Sequence, residues 1–435
     1  MLNERYIRAH PDGVRAGLRS REAGDEAERA LDEWLALDAR RRRSSPPSPL
    51  SLRGEGEPEV PYPRSVVATP ASPLRGEWVA EESIVGEGAS EAAGEPSPTG
   101  RPSATLDSRA RAALLRIPNL PTPETPDEAT ELCRWGEPRA FDFAPRRHDE
   151  LAAALGILDL PRATRLAGPR FPLLIGPGAR LVRALAALML DLHAARGYVE
   201  VAPPHLLKAA TLVGTGHLPR HEEELYAIPR DDLYLSPTAE AQLVALHAGE
   251  TLPAARLPLA YTAWTPCYRR EAGSAGTATR GLIRQHQFEK VELVRIVTAE
   301  GVAAAFTAIL DDAEAVLRAL ELPYRAVALA ARDLPFASRH TVDLEVWMPG
   351  QCGYVEISSV SDCGDFQARR LGLRYKPSGG KHAQFAHTLN GSALAIGRTL
   401  AALLENGQRA DGSIALPAAL ARYLPVRELR EPPRR

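Results

Sequence analysis

Between positions 265 and 295 the chain reads TPCYRREAGSAGTATRGLIRQHQFEKVELVR, a stretch equipped for chemistry as well as for fold. Arg269, Arg270, Arg280, Arg284 and Lys290 are interleaved with Glu271, Glu289 and Glu292 and with one aromatic, Phe288. A guanidinium fork suits phosphate oxygens, an aromatic face suits a purine, and a carboxylate suits an exocyclic or substrate amine. A solvated charged hairpin is the plainer reading. The order Tyr268-Arg269-x-Glu271, then Gly-Ser-Ala-Gly, then Arg284-x-His286-Gln287-Phe288 is more specific than charge alone. Three smaller groups lie elsewhere. Thr238 and Glu240 place a hydroxyl and a carboxylate two residues apart, a pattern that also caps a helix N-terminus. Glu356 and Ser359 flank apolar strand positions, where a buried carboxylate is costly unless it is paired or bound to a cation. Arg398 follows Gly391 and Gly397 and opens a helix, whose positive dipole end favours an anion.

These residues need elements to hold them. Segments 259–269 and 282–295 have the apolar alternation of strands, and the Gly/Ala/Ser/Thr run 272–281 joins them as a hairpin with a long mobile tip. A strong amphipathic helix spans 176–197, with Leu181, Leu185, Leu188 and Leu192 on one face, and leads into a strand closed by Pro203-Pro204. Segments 341–347 and 354–359 read as strands, and 299–319 as an alanine-rich helix. The first 43 residues have helical spacing and end in Arg40-Arg41-Arg42-Arg43, which favours the helix dipole as readily as it would contact RNA. From 44 to 104 the chain turns rich in Pro, Gly, Ser and Glu, with the near-repeat SPLSLRGEGE and SPLRGEW. Such a segment cannot bury enough apolar area to offset its ordering entropy, so disorder is expected. Helical pattern returns at 106–116 and stops at Ile117-Pro118-Asn119, before a proline-punctuated linker to about position 138.

The length of 435 residues and a hydrophobic content of 44% allow one large domain with appendages. A formal net charge of −2 excludes a uniformly basic nucleic-acid binder while leaving room for a local patch. Cys133, Cys267, Cys352 and Cys363 have no CxxC spacing, which argues against zinc and for a reducing compartment. No apolar run of membrane-spanning length is present and the N-terminus lacks a signal-peptide core, so the cytoplasm is expected.

The hairpin residues resemble motif 2 of the class II aminoacyl-tRNA synthetases in the version of the seryl enzymes. The helix and strand at 176–204 resemble motif 1, and HTLNGSALAIGR at 387–398 resembles motif 3. The likeness covers about 105–425. It implies an α+β fold, an antiparallel sheet of six or more strands flanked by helices, and a two-fold homodimer. The implied reaction uses ATP and Mg²⁺ to activate L-serine as seryl-adenylate, followed by transfer to tRNA(Ser). Carried over by motif, the ATP set is Arg269, Arg270, Glu271, Arg284, Phe288, Glu356, Ile357, Ser358, Ser359 and Arg398. Arg269, Glu356 and Arg398 are its catalytic members, and Glu356 with Ser359 holds the metal. Thr238, Ala239, Glu240, Glu292, Asn390 and Ser392 form the serine pocket, with Glu292 on the ammonium. The resemblance divides the chain into a helical remnant of a tRNA-binding arm (1–43), an insert (44–104), a returning helix and linker (105–138) and the catalytic domain (139–435).

The sequence departs from the family in three places. The arm is reduced to a stub that reaches only about 20 Å at ~1.5 Å per residue. Ser359-Val360-Ser361-Asp362 stands where Ser-Cys-Ser-Asn is usual, and His340-Thr341-Val342-Asp343 where Lys-Thr-Tyr-Asp is usual. The shortened arm leaves two further readings: an enzyme that adenylates serine, or another small amino acid, for a non-tRNA acceptor, and a catalytically silent paralog.

Overall fold

The computed structural model describes residues 1–44, 102–272 and 281–431. The expected disordered insert lies outside these residues from 45 to 101, as does the hairpin tip from 273 to 280, Arg280 included.

The N-terminus is three helices, α1 (Glu4–Ala9), α2 (Pro11–Ser20) and α3 (Gly24–Ser44), joined by a fourth, α4 (Pro102–Leu115). Helix α4 begins at Pro102, so the last residues assigned from sequence to the insert belong to a helix; proline at a first helical position lacks only a hydrogen bond that no residue there makes. The four helices bury Ile7, Leu18, Leu31, Trp34 and Leu114 together. Asp38, buried among them, is paired with Arg8, Arg41 and Arg42, so part of the arginine run closes the bundle. The bundle is fastened to the rest of the chain at Asn119 and Arg21. Asn119 donates to the carbonyls of Ala337 and Cys363. Arg21, itself buried, donates to those of Asn119, Leu334, Pro335 and Ser338.

Strand β1 (Thr130–Trp135) follows, then helices α5 (His148–Ala154), α6 (Leu160–Ala167) and α7 (Pro177–Ala195). Helix α7 starts on a proline and buries Leu181, Leu185 and Leu188 as its spacing predicts. Next come β2 (Val199–Glu200), β3 (Leu206–Lys208), α8 (Ala209–Thr215), β4 (Ala227–Ile228), β5 (Leu233–Leu235), α9 (Glu240–Ala245) and β6 (Thr251–Pro253). The hairpin strands are β7 (Leu259–Tyr268) and β8 (Gln287–Val297), followed by α10 (Val302–Ala319), β9 (Tyr324–Ala328), β10 (His340–Met348) and β11 (Gly353–Gly364). The chain continues through α11 (Phe366–Leu371), β12 (Arg374–Lys376), β13 (Gln384–Phe385), β14 (His387–Ala395) and α12 (Ile396–Gly407).

Eight strands form one sheet in the order β1-β9-β10-β11-β14-β8-β7-β2, antiparallel throughout except for the parallel pair β2 and β7. Helices α7, α10 and α12 pack their apolar stripes over it to make the main core. The segment 105–138, expected as helix and linker, contributes β1 to this sheet. All six of its residues are exposed, so the strand is held by its ladder to β9 and leaves no burial pattern in the sequence. No described helix is long and apolar enough to cross a membrane.

Two of the sheet's bulges bear on the residues singled out above. In β11 the register slips at Ile357, so Ser359 opposes Asp343 and Glu356 opposes Glu345. In β14 it slips after Ser392, which opposes Glu292, so that Ala395 opposes Lys290. A bulge re-aims side chains that strict alternation would send to opposite faces.

Candidate active site

A cleft of about 860 Å³ opens between the sheet and the N-terminal bundle, walled by β8, β10, β11 and β14 and by the starts of α9 and α12. Its outer part is rich in arginine. Arg269 follows the end of β7, donates its backbone N–H to the His286 carbonyl across the hairpin, meets the His286 Nδ1 with its own carbonyl, and lays its guanidinium 5.3 Å from the Phe288 ring. Arg284 donates to Glu271, which the backbone holds at φ 53°. Arg398, in the first turn of α12, donates to the Ile283 carbonyl at 3.2 Å and the Glu356 carbonyl at 2.6 Å, and pairs with the Glu356 carboxylate at 3.1 Å. Three cationic forks and one aromatic ring thus line the same cleft, a set suited to a base with a phosphate chain.

The inner part is buried and carries carboxylates. Thr238 donates to Glu292 at 2.7 Å, and Lys290 is ion-paired with the same carboxylate. The Thr238 hydroxyl also accepts the Glu240 N–H at 3.2 Å, so it holds the first residue of α9 and faces the cleft at once. Glu240 accepts from Gln367 at 2.7 Å, and Gln367 is fixed in turn by Thr388. Burial, and then the neighbouring charge of Glu292, push the Glu240 carboxyl up to about 7. Asn390 donates to the Cys363 sulfur, and Ser392 reaches the cleft beside them. Small hydroxylated and ammonium groups find fixed partners here, and an analogue without a hydroxyl leaves those partners unpaired.

The buried carboxylate expected at Glu356 lies elsewhere. Glu356 is exposed at the cleft mouth and neutralised by Arg398; the β11 bulge turns it outward. The buried group is Asp343, across the ladder from Ser359, whose Oδ1 has no hydrogen-bond partner. Burial, then the charge of Glu356, push its carboxyl up to about 7.

Most of the residues singled out by sequence meet in this cleft, and three do not line it. Arg270 is exposed, Ala239 is buried in a neighbouring apolar cluster, and Ser358 spends its hydroxyl on the Ser392 carbonyl, tying β11 to β14. Lys290, counted among the hairpin charges, was given no role by sequence, and Asp343 was not among the sequence candidates. The two-residue spacing of Lys290 and Glu292 on β8 was the signal for the first; only the ladder register reveals the second. In the two unusual segments Ser359, Ser361 and Asp343 line the cleft, while His340, Val342, Val360 and Asp362 lie behind it. Val342 and Val360 oppose each other in the core, and Asp362 pairs with Arg339 at 2.8 Å while accepting the Gly364 N–H.

Comparison with known proteins agrees with this geometry. Residues 225–407 match the tRNA synthetase class II core domain (G, H, P, S and T). A serine--tRNA ligase of a Synechococcus strain is 45% identical over 99% of this chain and 98% of its own length. That of Acidithiobacillus ferrooxidans is 55% identical over 71% of this chain and 74% of its own. Among solved structures, the seryl-tRNA synthetase of Pyrococcus horikoshii complexed with ATP superposes with a TM-score of 0.81 at 28% identity, covering 99% of this chain and all of that one. Likeness that spans bundle, sheet and cleft together, and not one motif alone, places the chain in the seryl-tRNA synthetase family of class II synthetases.

Proposed function

We propose that this chain is a serine--tRNA ligase that activates L-serine with ATP and transfers the seryl group to tRNA(Ser). The observation that carries the reading is the division of one cleft into an arginine-rich outer part and a buried inner part, where Thr238, Lys290 and Glu292 form one knot. The inner part takes serine, its ammonium on Glu292 and its hydroxyl among Thr238, Glu240, Asn390 and Ser392. The outer part takes ATP, with adenine against Phe288 and Glu271, the α-phosphate on Arg269 and the γ-phosphate on Arg398. A serine carboxylate oxygen attacks the α-phosphorus. The bond to the bridging oxygen breaks, and pyrophosphate leaves with the electron pair. A terminal ribose hydroxyl of the tRNA then attacks the seryl carbonyl, and AMP departs. No side-chain nucleophile is required, because orientation and charge neutralisation lower both barriers.

The residues beside Glu356 fit magnesium. Ser359, the Glu356 carboxylate and the orphaned, buried oxygen of Asp343 form an all-oxygen donor set of the kind a hard cation prefers. Bound with ATP, magnesium would neutralise phosphate charge there. Dimerisation through α7, β2 and β7 fits the exposed Val199 and Trp264 on that edge of the sheet. The cytoplasm, where tRNA is charged, is the matching compartment.

Charging of purified tRNA(Ser) with labelled serine, run beside serine-dependent ATP/pyrophosphate exchange, tests the reading. Exchange and charging together are expected. Exchange without charging would transfer the activity to a non-tRNA acceptor, and the absence of both would overturn it.

A further inference from the structure

His148 and Glu405 are completely buried and lie outside the cleft's lining, yet they reach its hairpin. His148 opens α5. Its backbone N–H and its Nδ1 both meet Glu405 Oε1, at 2.9 and 2.8 Å. The other carboxylate oxygen accepts the Gly350 N–H at 2.8 Å. Across the ring, Nε2 accepts the Leu282 N–H at 3.1 Å. That amide occupies the Nε2 lone pair, so the proton sits on Nδ1, where it is donated to Glu405. Leu282 is the second described residue after the hairpin tip, and Gly281 before it has φ 69° and approaches so closely that a Cβ there would lie 2.4 Å from His148 Nε2. The next residue, Ile283, gives its carbonyl to Arg398. Helix α12 therefore grips two successive residues of the hairpin's return. Glu405 holds the N–H of one through an imidazole, and Arg398 holds the C=O of the other directly.

We infer that His148 is a positioning residue for nucleotide binding, an imidazole bridge that sets the hairpin's return strand against the first turn of α12 and so fixes where Arg284 and Arg398 stand. The bridge makes no contact with substrate. Its effect falls on the outer, arginine-rich part of the cleft, because the residues it fixes are continuous with that part and not with the buried serine knot. The inference rests on the adenylation reading above.

His148→Asn and His148→Gln separate the two halves of the bridge. An asparagine amide stands where Nδ1 stood and keeps Glu405, but it falls short of Leu282. A glutamine carbonyl stands where Nε2 stood and keeps Leu282. In serine-dependent exchange, H148N should raise the KM for ATP about tenfold while the KM for serine moves less than about twofold. Deuterium exchange of the 281–285 amides should quicken in the same variant. H148Q should restore both to near wild type. A purely structural role would lower the thermal midpoint of the variants without separating the two KM values. Equal KM for ATP in H148N and H148Q, or unchanged exchange of the Leu282 amide in H148N, overturns the inference. Should H148N not fold, Gly281→Ala, which presses on the ring from the hairpin side, is expected to raise the KM for ATP in the same way, and an unchanged value there overturns it instead. A wild type without exchange would refute the function itself, whereas an active wild type beside an unaffected variant refutes only the bridge.

Discussion

The outer and inner parts of the cleft use charge in opposite ways. In the outer part the charged groups are half-exposed and paired with one another, Arg284 with Glu271 and Arg398 with Glu356. Exposed pairs of this kind contribute on the order of 0–1 kcal/mol to folding, so these side chains are held ready for a ligand at little consequence to the fold. In the inner part Glu292 and Thr238 are buried, and Glu240 is enclosed enough for its carboxyl to be pushed up to about 7. There the same atoms that select a ligand also satisfy one another. The outer part should therefore fail in catalysis alone, and the inner part in catalysis, stability and pH dependence together.

The largest effect is expected at Arg269. Arg269→Ala removes a fork from the phosphate side and should lower serine-dependent exchange by ~10²–10³-fold, the scale of losing one charge-stabilising donor in a closed site. Its urea midpoint should stay near wild type, since its side chain makes one long hydrogen bond, to the Pro237 carbonyl at 3.3 Å, and one contact over the Phe288 ring. Near wild-type exchange would remove Arg269 from the reaction; a large loss of stability would erase the contrast with the inner part.

Thr238→Val keeps the shape of the inner part and deletes the hydroxyl that donates to Glu292. The carboxylate is then left with fewer partners in a buried place, at a cost of about 1–3 kcal/mol in unfolding free energy. The KM for serine should rise about tenfold, with little change for ATP. Equal effects on both substrates would show that the division of the cleft is not functional.

A smaller and more diagnostic effect concerns protons. The Glu240 carboxyl, pushed up to about 7, is partly protonated near neutrality. An arriving ammonium favours the ionised form, so binding releases a proton and affinity weakens as pH falls through about 7. The KM for serine should increase several-fold from about pH 8 to about pH 6 and flatten in Glu240→Gln. Parallel profiles for wild type and variant would assign the titration elsewhere. The KM for ATP, governed by the outer part, should vary less across that window.

Much of this contrast was legible in the sequence and some of it was not. The motif resemblance singled out Arg269, Glu271, Phe288, Glu292 and Arg398, and all five line one cleft. The eight-stranded sheet agrees with the six or more strands expected, but one of its strands, β1, lies in a segment read as helix and linker, because its exposed residues carry no hydrophobic signature. The exposure of Glu356 and the burial of Asp343 depend on a one-residue bulge between β10 and β11, and a bulge has no marker in a run such as Tyr354-Val355-Glu356-Ile357-Ser358-Ser359. His148 and Glu405 are 257 positions apart and belong to no motif. Only the packing of α5 on α12 joins them.

The smallest effect is expected behind the inner part, at Asp362, where the sequence departs from its family. Asp362 lies next to Cys363, which accepts the Asn390 amide in the cleft, but its own carboxylate turns away to Arg339 and the Gly364 N–H. Asp362→Asn keeps an oxygen for Gly364 and exchanges the charge on Arg339 for a dipole. Arg339 is partly exposed, so the loss should be about 1 kcal/mol or less. If the inner part is a self-contained knot of Thr238, Glu240, Lys290 and Glu292, the KM for serine should stay within about twofold of wild type. A larger shift would mean that the charge behind the β11 turn helps to set the pocket, and the boundary of the inner part would then have to include Arg339 and Asp362.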